Sequence, residues 1–73
     1  MKVTIEEMGA YLIAEGWRLG RERASHQAWT KPGHLRPAIL DVNYRDVPED
    51  HLRTILHAMG RTRGDLRSFL GRK

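Results

Sequence analysis

The chain has 73 residues, with 13 Lys and Arg against 9 Asp and Glu, a formal net charge of +4, and no cysteine. That length suits one domain spanning residues 1–73 and excludes a multi-domain enzyme, while the missing cysteine excludes a disulfide-stapled fold and a thiolate zinc site. No apolar run of about 18 residues occurs, so no membrane span is expected, and Met1-Lys2-Val3-Thr4-Ile5-Glu6-Glu7 carries acids where a signal peptide needs an apolar stretch. The expectation is a small, soluble, basic, cytoplasmic domain with a thin core.

Thr4-Ile5-Glu6-Glu7 has the capping-box form, and Ile5, Met8, Leu12 and Tyr11 follow at helical spacing. With Gly16 as a left-handed stop, residues 5–15 read as an amphipathic helix. The period then changes to two, and residues 17–22 read as a strand with Trp17 and Leu19 inward and Arg18 and Gly20 outward. A polar break at Arg23-Ala24-Ser25 precedes a second strand, His26-Gln27-Ala28-Trp29-Thr30, with Ala28 expected inward and Trp29 outward. Lys31-Pro32-Gly33-His34 fits a type II turn, and Pro37-Ala38-Ile39-Leu40-Asp41-Val42 a third strand with Pro37 at its start. Residues 43–47 read as a loop. Pro48 suits the first turn of a second helix, with Glu49 and Asp50 near its positive end and Leu52, Ile55, Leu56 and Met59 as its core stripe. Gly60 ends it. Thr62 and Asp65 mark a short last helix turning Leu66, Phe69 and Leu70 inward, and Gly71-Arg72-Lys73 is expected to fray. The fold class is α+β: helix, three-stranded antiparallel meander, helix, short helix, with helices over one sheet face and the other face open.

Ten of the thirteen bases are Arg, whose planar fork of donors suits phosphate. Residues 15–36 are net +3 and residues 61–73 net +4, flanking a middle stretch, 37–60, of net −2. Such zones fit a polyanion-binding face, and equally a solvated surface.

His51 and His57 lie six apart on one helix and do not share a face, whereas His26 and His34 flank a turn that could bring them together; no metal site is expected. Phosphate loops, nucleophile elbows and dinucleotide fingerprints are absent, and no cofactor is expected. One constellation stands out: Arg21-Glu22-Arg23-Ala24-Ser25-His26, followed by Trp29, Lys31 and His34. An imidazole among cations suits metal-free RNA cleavage, because the 2′-hydroxyl of RNA is a built-in nucleophile that needs a base and charge stabilisation. DNA lacks that hydroxyl and should remain uncut. A polar residue at a strand end is the bland alternative.

Gly16-Trp17, Ser25-His26 with Trp29 three residues on, Val47-Pro48, Leu52-Arg53-Thr54-Ile55-Leu56, Ala58-Met59-Gly60 and Leu66…Phe69-Leu70 occur in the order seen in the HicA toxins of toxin–antitoxin pairs. Over roughly residues 5–70 the chain resembles that family. The resemblance implies a double-stranded-RNA-binding-domain-like fold and an mRNA-cleaving endonuclease, monomeric when free and held inactive by a HicB-type antitoxin. It implies His26 as catalytic residue, since the family's Gly-Ser-His maps onto Ala24-Ser25-His26. Ser25, Arg21, Arg23, Trp29, Lys31 and Arg36 are the candidate contacts to single-stranded RNA. Two departures stand out: Ala24 replaces the usual Gly, and Leu40-Asp41-Val42-Asn43-Tyr44 lacks the family's third-strand histidine, leaving Tyr44, Lys31 or an Arg as substitutes. Two other readings remain: a duplex-RNA binder, which the acids in Val47-Pro48-Glu49-Asp50 oppose, and a degenerate member that only binds its antitoxin.

Overall fold

The computed structural model describes residues 1–72. The elements run α1 (Ile5–Ala14), β1 (Arg18–Arg23), β2 (His26–Thr30), β3 (Ala38–Asp41), α2 (Glu49–Met59) and α3 (Arg63–Leu70). The three strands form one antiparallel sheet in the order β1-β2-β3, so the expected α+β meander with three helices is present. No helix among the described residues is long and apolar enough to cross a membrane. Lys73 lies outside them.

The helix ends follow from local chemistry. The Thr4 hydroxyl accepts the Glu7 N–H at 3.1 Å and the Glu7 carboxylate accepts the Thr4 N–H at 2.9 Å, which satisfies two donors that have no partner inside α1. Gly16, at φ 88°, closes α1: its N–H bonds the Ile13 carbonyl, and the Trp17 N–H bonds the Leu12 carbonyl. Thr62 and Asp65 repeat the capping box at α3. Pro48 stands one residue earlier than expected, as the N-cap of α2 rather than inside its first turn. The 43–47 stretch is also more ordered than a plain loop. Val47 N–H reaches the Val3 carbonyl and Ile5 N–H the Arg45 carbonyl, tying the start of α1 to the start of α2.

The core gathers Met8, Tyr11 and Leu12 of α1, Leu52, Ile55, Leu56 and Met59 of α2, and Leu66 of α3 against Trp29, Ala38 and Leu40 of the sheet. This reverses one expectation. Trp29 is only 7% exposed and faces the helices, so Ala28 turns to the open face. The large indole gains more from burial than the Ala28 methyl would, and its N–H is not orphaned, because it donates to Gln27 Oε1 at 3.2 Å. Leu19 pairs with Trp29 and so lies on the helix side, yet it is 44% exposed: all six residues of β1 are exposed, at the edge of the sheet. Phe69 is likewise 44% exposed, packing its ring 5.0 Å from Tyr11 rather than entering the core. Arg72 is not frayed, since its guanidinium bonds the Lys2 carbonyl and reaches Glu7 Oε2 at 2.7 Å.

Ala24 and Ser25 form a two-residue hairpin turn between the paired Arg23 and His26. Ala24 adopts φ 53°, the one non-glycine positive φ among the described residues. An L side chain there costs about 1–2 kcal/mol. Ala24→Gly should therefore stabilise the domain by about 1 kcal/mol, raising Tm by about 4–8 °C in a thermal melt. Trp29→Ala should cost about 3–5 kcal/mol, read from the denaturant midpoint.

Candidate active site

His26 follows the Ala24-Ser25 turn as the first residue of β2. Because Trp29 points into the core, alternation sends His26, Ala28 and Thr30 to the open face. Strand pairing then builds the surroundings. Arg23 lies directly opposite His26 on β1, and Asp41 directly opposite on β3, so the three form a row across the sheet. His26 Nε2 stands 3.4 Å from Asp41 Oδ2, with the imidazole 61% and the carboxylate 14% exposed.

Asp41 is held in place from several sides. Its Oδ1 accepts the Asn43 N–H at 3.0 Å. That bond, followed by the Ser25 hydroxyl and the positive charge available on His26 and His51, holds the carboxyl below its ordinary range. A carboxylate kept ionised 3.4 Å from the imidazole nitrogen can orient the ring. The Ser25 carbonyl accepts the Val42 N–H at 2.8 Å, which ties the hairpin turn to the end of β3.

A β-bulge at Gly20 decides where the arginines go. Arg18 pairs with Thr30, Leu19 with Trp29 and Arg21 with Ala28, which leaves Gly20 as an extra residue. Without it, strict alternation would place Arg18 on one face and Arg21 and Arg23 on the other. With it, all three share the open face with His26. None of the three makes an ion pair among the described residues. Three of the C-terminal bases differ: Arg61 pairs with Glu15, Arg63 with Glu49 and Arg72 with Glu7, while Arg67 makes no ion pair among the described residues.

Beside His26 the sheet meets the flank of α2 in a cleft of about 210 Å³, lined by His26, Ile39, Asp41, Asp50, His51 and Thr54. The His51 ring stands edge-on to Tyr44, with centroids 5.5 Å apart and planes at 90°.

The remaining sequence candidates fall elsewhere. Lys31 follows the last residue of β2 and lies beside Gly16, and Arg36 precedes β3 at the same end of the sheet. Both are separated from His26 by the length of β2, about 15 Å. His34 does not approach His26; its ring packs 4.8 Å from that of Trp17. Trp29, buried, offers no surface for base stacking. Two residues the motif reading passed over, Asp41 and His51, join His26 instead. Asp41 joined through the register of β3 against β2, which only the folded sheet shows. His51 had no signal in the sequence either, because its approach depends on how α2 packs against β3. Among the described residues no three His, Asp and Glu side chains cluster as metal ligands. Comparison with protein-family models, with curated proteins and with solved structures found no match.

The depressed Asp41 carboxyl has a pH consequence. Its stabilising contribution is present above the unfolded-state value of about 3.9 and is lost as pH falls through the lower folded-state value. Urea unfolding measured from about pH 5 down to about pH 2 should show a shallower acid loss for Asp41→Asn than for the wild type.

Proposed function

We propose that this protein is a metal-independent RNA endonuclease of the HicA type, the toxin of a toxin–antitoxin pair, on a double-stranded-RNA-binding-domain-like fold. The reading rests on one observation: an imidazole backed by a carboxylate stands on an open sheet face beside three arginines without acidic partners. That arrangement has the parts a transesterification of RNA needs. His26 takes the proton from the 2′-hydroxyl, and Asp41 steadies the resulting imidazolium. Arg23, one strand away, and Arg21, two residues farther along, offer guanidinium donors to the phosphate. Ala28 and the 42%-exposed Ile39 form an apolar floor between these cations and the cleft, on which a single-stranded base can lie. This role replaces the one Trp29 was expected to fill.

Duplex RNA fits less well. The start of α2 carries Glu49, bonded to the N-terminal ammonium and to Arg63, and Asp50, which lines the cleft. A HicB-type antitoxin would act by covering the His26 face and matching its arginines with acids, an association that should weaken with salt.

The test is cleavage of single-stranded RNA by pure protein in EDTA. Wild-type protein should cut RNA and leave the same sequence in DNA intact. His26→Ala should lower the rate by about 10²–10⁴-fold, with its melting curve unchanged. Arg23→Ala should weaken RNA binding and reduce the salt slope of log K by about one phosphate's worth. Equal cleavage by wild type and His26→Ala would overturn the reading.

A further inference from the structure

The cleft holds a second imidazole that the nuclease reading above does not use. His51 sits in the first turn of α2 and lines the same cavity of about 210 Å³ as His26, Asp41, Asp50 and Thr54. It is close enough to Asp41 for its positive charge to stabilise that carboxylate, as does His26. The two histidines therefore flank one acid, from β2 and from α2. His51 is also braced, because the Tyr44 ring meets it at 90° with centroids 5.5 Å apart. Tyr44 is in turn placed by the turn that the Asp41–Asn43 bond closes.

We infer that His51 is the general acid of the RNA cleavage reaction, paired across the cleft with His26 as the base. This inference rests on the nuclease reading and deepens it. His26 has Asp41 against Nε2, the arrangement of a group that gains a proton. As the 2′-oxygen bonds to phosphorus, its proton passes to His26. The bond from phosphorus to the 5′-oxygen breaks, and that oxygen receives a proton from protonated His51. The products are a 2′,3′-cyclic phosphate and a free 5′-hydroxyl, and exchange with water returns each imidazole to its starting state. No oxidant, reductant or cofactor enters the balance. The charged and titratable groups facing His51 are Asp41 from β3, His26 from β2, Tyr44 from the β3–α2 connection and Asp50 of its own helix.

A change of leaving group separates the acid from the base. In a 5′-bridging phosphorothiolate the departing atom is sulfur, which leaves without a proton. On ordinary RNA, His51→Ala and His51→Gln should each be slower than wild type by about 10²–10⁴-fold. On the thio substrate both should return to within tenfold of wild type, whereas His26→Ala should stay slow on both substrates. The rate against pH for the wild type should rise and then fall, and the His51 variants should lose the falling limb. His57→Ala, on the same helix but away from the cleft, should cut as wild type does. A His51 variant as fast as wild type on ordinary RNA, or equally impaired on both substrates, would sink the assignment while leaving the nuclease reading intact. Wild-type protein that cleaves neither substrate would remove the nuclease reading, and this inference with it.

Discussion

The orientation of β2 governs everything else, and Trp29 sets it. Burying that indole beneath the helices fixes which side of the middle strand faces the core. A strand has a side-chain period of two, so the choice cannot be local: turning Trp29 inward turns His26 outward. The Trp29 N–H is satisfied by Gln27 of the same face, so burial leaves no polar group stranded there. Had Ala28 been the inward residue, His26 would point into the core without a carboxylate opposite it, at the cost of desolvating a titratable ring. The packing of one tryptophan and the exposure of one histidine are a single structural fact.

The net charge of +4 acquires a direction in the same way. Arg61, Arg63 and Arg72 are occupied by Glu15, Glu49 and Glu7 and hold the helices and the N-terminus together. Each such surface pair contributes little to stability alone, but each also removes a cation from the pool available to a partner. Lys31, Arg36, Arg45, Arg53 and Arg67 also lack acidic partners among the described residues, but only Arg18, Arg21 and Arg23 are gathered by the bulge at Gly20 on the face that carries His26. A Cβ at Gly20 would meet Thr30 Oγ1 at 3.3 Å, a close contact across the paired strands. One small residue at that position therefore converts an alternating strand into a one-sided basic row. The same three arginines mark β1 as an exposed edge that resists pairing with other strands by charge repulsion.

How much of this the sequence carried varies with the range of the physics involved. Helix ends were legible because capping and left-handed closure depend on four or five adjacent residues, as at Thr4-Glu7, Gly16 and Thr62-Asp65. The type II turn at Lys31-Pro32-Gly33-His34 was legible for the same reason, and the His34 N–H does bond the Lys31 carbonyl. The facing of β2 was not, since Ala28 and Trp29 give no clean alternation and the helices decide between them. The bulge was hidden too: Gly20 looked like one more outward residue until its partners on β2 were counted. Of the candidate site, His26, Ser25, Arg21 and Arg23 came from adjacency in sequence and stay together. Lys31 and Arg36 were grouped with them by proximity along the chain, but an extended strand carries neighbours apart quickly, and they stand at the other end of the sheet. Asp41 and His51 joined through strand register and helix packing, which no spacing rule expresses.

A chain of this size can cover only one face of its sheet, and that limit shapes what the open face can do. The helices cover the face that carries Trp29, Ala38 and Leu40, and the open face keeps a row of arginines, the apolar residues Ala28 and Ile39, and an imidazole with its carboxylate. A site built this way has no deep pocket in which to enclose a small substrate. The proposed RNA substrate suits such a surface, because a strand laid across the sheet would bring phosphate to the arginines, a base to the apolar floor and a sugar hydroxyl to His26 at the same time. The turn that presents His26 does so through Ala24 at φ 53°, a conformation glycine would adopt freely. Strain at that position is set against a core thin enough to feel it. The domain therefore holds His26 beside a strained residue, and Asp41 and the Val42–Ser25 backbone bond secure the same tip from β3.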